Sequence, residues 1–157
     1  MIQSCKSKID HGILKDAFLF TYEYMKKYQG SWHLMKDKMF PGYVFLESDD
    51  GSRLSEELEP YRSTVSVRIL EDDKLLLSIQ EEEQKILEEL CGRERHMSMS
   101  RGIIQQGITH VTEGPLKGKE QLIRRIDRHK RVAYLNHCTL PGKGFVKAGL
   151  EIESKEM

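Results

Sequence analysis

Large apolar side chains fall on alternate positions at Phe18, Phe20, Tyr22 and Tyr24, with smaller or polar residues between them. A period of two in strand-forming residues predicts a strand. Gln29-Gly30-Ser31 then supplies turn chemistry ahead of Trp32, Leu34 and the Lys36-Asp37-Lys38 rim, so the pattern predicts a long hairpin leading to Phe40. Pro41-Gly42 breaks the chain, and Tyr43 to Leu46 reads as the next strand, with Tyr43 and Phe45 on one face. Upstream, Ile2, Cys5, Ile9, Ile13 and Leu14 recur three or four apart and predict a short amphipathic helix that Gly12 weakens or ends.

Downstream of an Asp49-Asp50-Gly51-Ser52 loop, Leu54 and Leu58 lie one helical turn apart before a stop at Pro60. Val65 to Leu70 alternates again. Ser78-Ile79-Gln80-Glu81 has the form of a capping box, and predicts a helix over 79–90 with Ile79, Ile86, Leu87 and Leu90 inward. Cys91 to Arg101, CGRERHMSMSR, has no sustained period and reads as a linker. Beyond it, strand candidates at 108–111, 122–126, 132–135 and 145–148 alternate with Gly and Pro turns, the pattern of a small closed barrel.

Charge sharpens this division. Residues 1–92 hold 12 Lys and Arg against 18 Asp and Glu, whereas residues 93–157 hold 13 against 7, so a neutral total conceals an acidic half and a basic half. A basic half suits phosphate. Its densest stretch contains Lys117, Lys119, Arg124, Arg125, Arg128, His129, Lys130 and Arg131. Such a run is either a solvated surface or a phosphate contact, and on a barrel turn these groups reach phosphates or stack on splayed bases. Lys26, Lys27, Lys36 and Lys38 flank the hairpin tip together with Tyr28 and Trp32, where contact with DNA competes with mere solubility.

Cys5, Cys91 and Cys138 are odd in number and lack a CxxC pair, which indicates neither a disulfide framework nor a zinc ribbon. His137-Cys138 reads as ordinary barrel sequence rather than as a metal or thiol site, so no metal and no cofactor is expected. A P-loop, a Gly-x-Ser-x-Gly elbow and a dinucleotide fingerprint are all missing from the sequence, and an enzyme is not expected. With no apolar run resembling a signal peptide and no stretch of membrane-spanning length, the expectation is a cytoplasmic, soluble protein that engages no membrane.

Two stretches, FPGYVFLE at Phe40 to Glu47 and VTEGPLKGKEQLIRRIDRHKR at Val111 to Arg131, resemble the NusG family of transcription elongation factors. KYQGSWHL at Lys27 to Leu34, IDRHKR and the late GLEI at Gly149 to Ile152 are most similar to its LoaP-type antiterminator paralogues. The resemblance implies an α+β N-terminal domain over 1–92, an antiparallel sheet with flanking helices. It also implies a linker over 93–101 and a small all-β SH3-like KOW barrel over 102–157. By position it assigns Phe40, Pro41, Tyr43 and Phe45 to binding the clamp helices of RNA polymerase, and the basic stretch to a nascent RNA hairpin. Non-template DNA is a further expected contact, with a termination factor or ribosomal protein a less favoured barrel partner. The implied function is transcription elongation and antitermination; the rival is an RNA-binding or ribosome-associated KOW protein that acts without polymerase.

Three departures from the family pattern are expected to matter. The chain begins where the family's opening Trp-Tyr-rich strand should already have ended: either the start is truncated or misassigned, or the sheet is incomplete, and unless the true N-terminus lies upstream Tyr43 to Leu46 would show an unpaired edge and the protein would be marginal or dimeric. A KOW glycine falls on Gln121, which is strained if that site needs positive φ. The Phe-Gly-Arg hairpin of the family barrel is replaced near Leu140-Pro141-Gly142-Lys143.

Overall fold

The computed structural model describes residues 12–58, 79–136 and 145–156. The protein is a small mixed α/β protein, mostly strands in sheets with few helices. The chain divides into two compact units, one formed by residues 1–19 and 42–78 and the other by 20–41 and 79–157.

In the first unit, β1 (Asp16–Phe18) pairs antiparallel with β4 (Phe45–Glu47), and the Lys15 amide donates to the Glu47 carbonyl at 2.8 Å. Phe18 stacks on Phe45 with ring centroids 5.9 Å apart, while Ile13, Leu14 and Ala17 are buried beside this short ladder. Helix α1 (Gly51–Leu58) follows because the Asp50 carboxylate accepts the Arg53 amide at 3.1 Å, an N-cap that satisfies one orphan donor. Leu54 of this helix is buried.

The second unit begins with the expected hairpin, β2 (Thr21–Tyr28) and β3 (Ser31–Lys38), in register from Thr21 opposite Lys38 to Tyr28 opposite Ser31. Its two-residue loop puts Gln29 at φ 51° and Gly30 at φ 78°, the twist that matches two flanking strands. Helix α2 (Glu81–Cys91) has three glutamates in its first turn, where the helix dipole favours them, and Leu87, Leu90 and Cys91 are buried. The Cys91 thiol lies 3.7 Å from the Met39 sulfur, and burial pushes it up to about 12.

After α2, β5 (His96–Met97) runs parallel to β2 at Thr21 and Tyr22. A five-stranded sheet follows in the order β7-β6-β10-β9-β8, from β6 (Ser100–Gln105), β7 (Ile108–Glu113), β8 (Ile123–Asp127), β9 (Val132–Asn136) and β10 (Phe145–Glu156). The long β10 is antiparallel to β9 as far as Gly149 and parallel to β6 from Leu150, with a register shift between Ile152 and Ser154. A strand shared between two ladders in this way is compatible with a small all-β barrel. Val111, Leu116, Val132, Ala133, Leu135, Val146, Ala148 and Leu150 of this region are buried.

The structure corrects several sequence expectations. The strand read through Phe18 to Tyr24 is interrupted at Leu19 and Phe20, so β1 and β2 join different ladders. Tyr43 and Val44 lie outside β4, which is paired with β1 on one side. Helix α2 starts at Glu81 with Gln80 as N-cap, leaving Ile79 outside it. Residues 93–101 do not form a free connector: they supply β5 and open β6, and Met97 and Ser100 are fully buried. Ser100 looks polar in sequence, but its hydroxyl accepts the Leu116 amide at 3.1 Å, which removes the cost of burying it. Gln121 sits in the 3₁₀ turn Glu120–Leu122 and is not among the residues at positive φ, so the feared strain does not arise. Most of the first predicted helix (Ile2 to His11), the strand at Val65 to Leu70, Ser78, His137-Cys138 and the Leu140 to Lys143 turn lie outside the described residues.

Candidate nucleic-acid interface

Within the second unit, the open edge of β2 faces β9, β10 and the β8–β9 turn across a groove of about 460 Å³. β2 loses its β5 neighbour after Tyr22, so the edge from Glu23 onward flanks this space. The groove is lined by Tyr22, Tyr24, Lys26, Lys27 and Trp32 of the hairpin and by His129, Lys130, Tyr134 and Lys147 of the sheet. Four lysines therefore meet one carboxylate, Asp37. Among the described residues, no ion pair engages the ammonium group of Lys26, Lys27, Lys130 or Lys147.

Two guanidinium groups are stacked on rings at this site. Arg131 lies over Trp32 at 4.0 Å from the ring centroid, and Arg125 over Tyr134 at 4.3 Å. Arg131 is also held by Glu151, 3.3 Å from one guanidinium nitrogen, and its carbonyl accepts the Leu150 amide at 2.9 Å. These contacts hold it at φ 54°, a left-handed conformation that ordinarily costs a non-glycine residue about 1 kcal/mol or more. Tyr22 and Tyr24, two apart on β2, sit with centroids 5.7 Å apart. Burial pushes the Tyr22 hydroxyl up to about 12, helped by the negative charge of Asp37, so it stays neutral.

Nearby, Glu23 joins β2 to the β5–β6 segment: its carboxylate accepts the Met99 amide at 2.9 Å and lies 3.3 Å from His96 Nε2. His96 Nδ1 is 2.8 Å from the Thr21 hydroxyl. Desolvation raises the Glu23 carboxyl, but the Met99 amide and His96 together hold it below its usual value.

The eight basic candidates from the sequence differ in their contacts. Lys119 is paired with Glu89 of α2, Arg131 with Trp32 and Glu151, and Arg125 with the Tyr134 ring. Lys117, Arg124, Arg128, His129 and Lys130 are exposed, and of these His129 and Lys130 line the groove. The Lys130 amide donates to the Asp127 carboxylate at 3.1 Å, which shapes the β8–β9 turn that presents them. Tyr22, Tyr24, Tyr134 and Lys147 were not singled out from sequence as binding residues. The four polymerase candidates are distributed between the units. Phe40 is buried edge-on to Phe20, centroids 6.3 Å apart, and Phe45 is buried against Phe18, whereas Pro41 is exposed and Tyr43 half-buried. No group of three or more His, Cys, Asp or Glu able to hold a metal occurs among the described residues, and no described helix is long and apolar enough to cross a membrane. No protein-family model matches the chain, and no curated protein matches it.

Proposed function

We propose that the protein is a transcription elongation and antitermination factor that binds RNA through the groove and RNA polymerase through the FPGYVFLE segment. The observation that supports RNA binding is the groove itself, where lysines with no ion pair among the described residues line the same space as aromatic rings. Cations contribute phosphate affinity that falls with salt, and rings contribute stacking that every base accepts. The polymerase half of the proposal rests on the NusG resemblance of residues 40–47. Tethered contacts of this kind reinforce each other through effective concentration, and a bound factor changes pausing if it prefers one clamp state over another.

Burial of Phe40 and Phe45 favours a second reading, an RNA-binding or ribosome-associated protein that acts without polymerase, because rings committed to internal packing make poor anchors. A pull-down with isolated clamp helices separates the two. Tyr43→Ala is the informative variant, since Tyr43 is half-buried and Phe40→Ala is expected to destabilise by about 3 kcal/mol or more. Retention by wild type and loss in Tyr43→Ala supports the polymerase reading; no retention by either leaves the second.

A further inference from the structure

The rings in the groove carry an assignment that rests on the RNA-binding reading and narrows it. An RNA duplex hides its base faces in the stack and presents phosphates, 2′-hydroxyls and base edges. Rings lining a groove add little to that encounter. They add a great deal when bases are unstacked, because each base then offers a π-face. Tyr24, Trp32 and Tyr134 are half-buried in the groove, and the last two are already paired with planar guanidinium groups that a base can extend. The groove holds about 460 Å³, room for a few planar rings. The four lysines border it from both sides, Lys26 and Lys27 on the hairpin, Lys130 on the β8–β9 turn and Lys147 on β10. Tyr22 keeps its proton, so it adds no negative charge to oppose a phosphate.

We infer that the groove takes unpaired nucleotides of single-stranded RNA, with bases stacking on Tyr24, Trp32 and Tyr134 and phosphates lying along Lys26, Lys27, Lys130 and Lys147. In a structured RNA the groove then holds the loop or a flanking strand, not the stem. Stacking is tolerant of base identity, so the groove selects for the unpaired state more than for sequence.

Trp32 is the single tryptophan of the chain and reports directly on this site. The experiment titrates the full chain with a mixed-sequence oligoribonucleotide of about ten residues, first alone and then annealed to its complement. The single strand is expected to quench Trp32 and to bind at least about tenfold tighter than the duplex. Tyr134→Leu keeps bulk but loses the π-face and is expected to weaken single-strand binding about tenfold, while Tyr134→Phe keeps it. Tyr24→Leu and Tyr24→Phe repeat the comparison on the hairpin side, and circular dichroism verifies that each variant is folded. Equal or tighter binding of the duplex, or folded leucine variants that bind like wild type, overturns the inference and leaves the RNA-binding reading standing. Binding of neither RNA at low salt removes both.

Discussion

Gly149→Ala places a methyl group where β10 crosses β2, and its consequence follows from three distances. An ideal Cβ at Gly149 lies 2.1 Å from the Met99 sulfur, 2.4 Å from the Glu23 carbonyl oxygen and 3.3 Å from its carbonyl carbon. The sulfur ends a flexible side chain and can rotate away. The Glu23 carbonyl belongs to β2 and moves only if the hairpin shifts off the sheet. Gly149 has no positive φ, so backbone strain does not enter and the cost is steric. Overpacking against a rigid neighbour costs about 1–3 kcal/mol, and the backbone collision places this substitution near the upper end, about 3 kcal/mol. Urea unfolding followed by far-ultraviolet circular dichroism measures it, with Trp32 fluorescence as the local probe. The double variant Gly149→Ala/Met99→Ala relieves only the sulfur contact and should recover a minor part of the loss. A Gly149→Ala change below about 0.5 kcal/mol, the level of an ordinary surface substitution, refutes the close approach of β10 to β2 on which the groove depends.

Other consequences follow from the groove and its supports. Arg131→Ala removes the cation over Trp32 and the Glu151 contact; it should shift Trp32 emission and lower stability by about 1–2 kcal/mol, and an unchanged emission spectrum contradicts the stacking. Glu23 has a carboxyl lowered below 4.5 in the folded protein, so its stabilising effect is fully present above that pH and is lost as pH falls through the folded value. Glu23→Gln should accordingly lower Tm at neutral pH, with the gap to wild type closing as pH falls through the lowered Glu23 value; a gap that does not change with pH denies the linkage. In salt titrations of RNA binding, Lys130→Ala should reduce the slope of log affinity against log salt by about 0.7, while Lys119→Ala, already neutralised by Glu89, should leave it nearly unchanged. Equal effects of the two substitutions contradict the division between groove and paired cations.

The parts of the fold that are local in sequence were legible there. Alternating aromatic residues and a Gln-Gly turn specify the β2–β3 hairpin, and its register follows from the two-residue loop. The acidic first turn and the Leu87 and Leu90 spacing specify α2. What escaped depends on contacts across long stretches of chain. CGRERHMSMSR supplies β5 and the first two residues of β6, and its polar pattern conceals a fully buried Met97 and a Ser100 satisfied by the Leu116 amide. Their pairings to β2 and β10 are parallel and carry no turn signal. The basic stretch was legible as charge, but not its partition: Lys119 and Arg131 are turned inward by Glu89, Trp32 and Glu151, residues far away in sequence. Tyr134 and Lys147 joined Tyr24 and Lys26 in one groove only once the chain had folded, since more than a hundred residues separate the two pairs. The aromatic residues of FPGYVFLE illustrate the converse. Their clustering is plain in the sequence, yet Phe40 and Phe45 pack on Phe20 and Phe18 in separate units.

Ultraviolet cross-linking of bound single-stranded RNA, followed by peptide mapping, reports which side chains touch bases. Cross-links at Tyr24, Trp32 and Tyr134 are the expected result. Cross-links confined to residues outside the groove, such as Tyr28 or Tyr43, contradict base stacking in the groove.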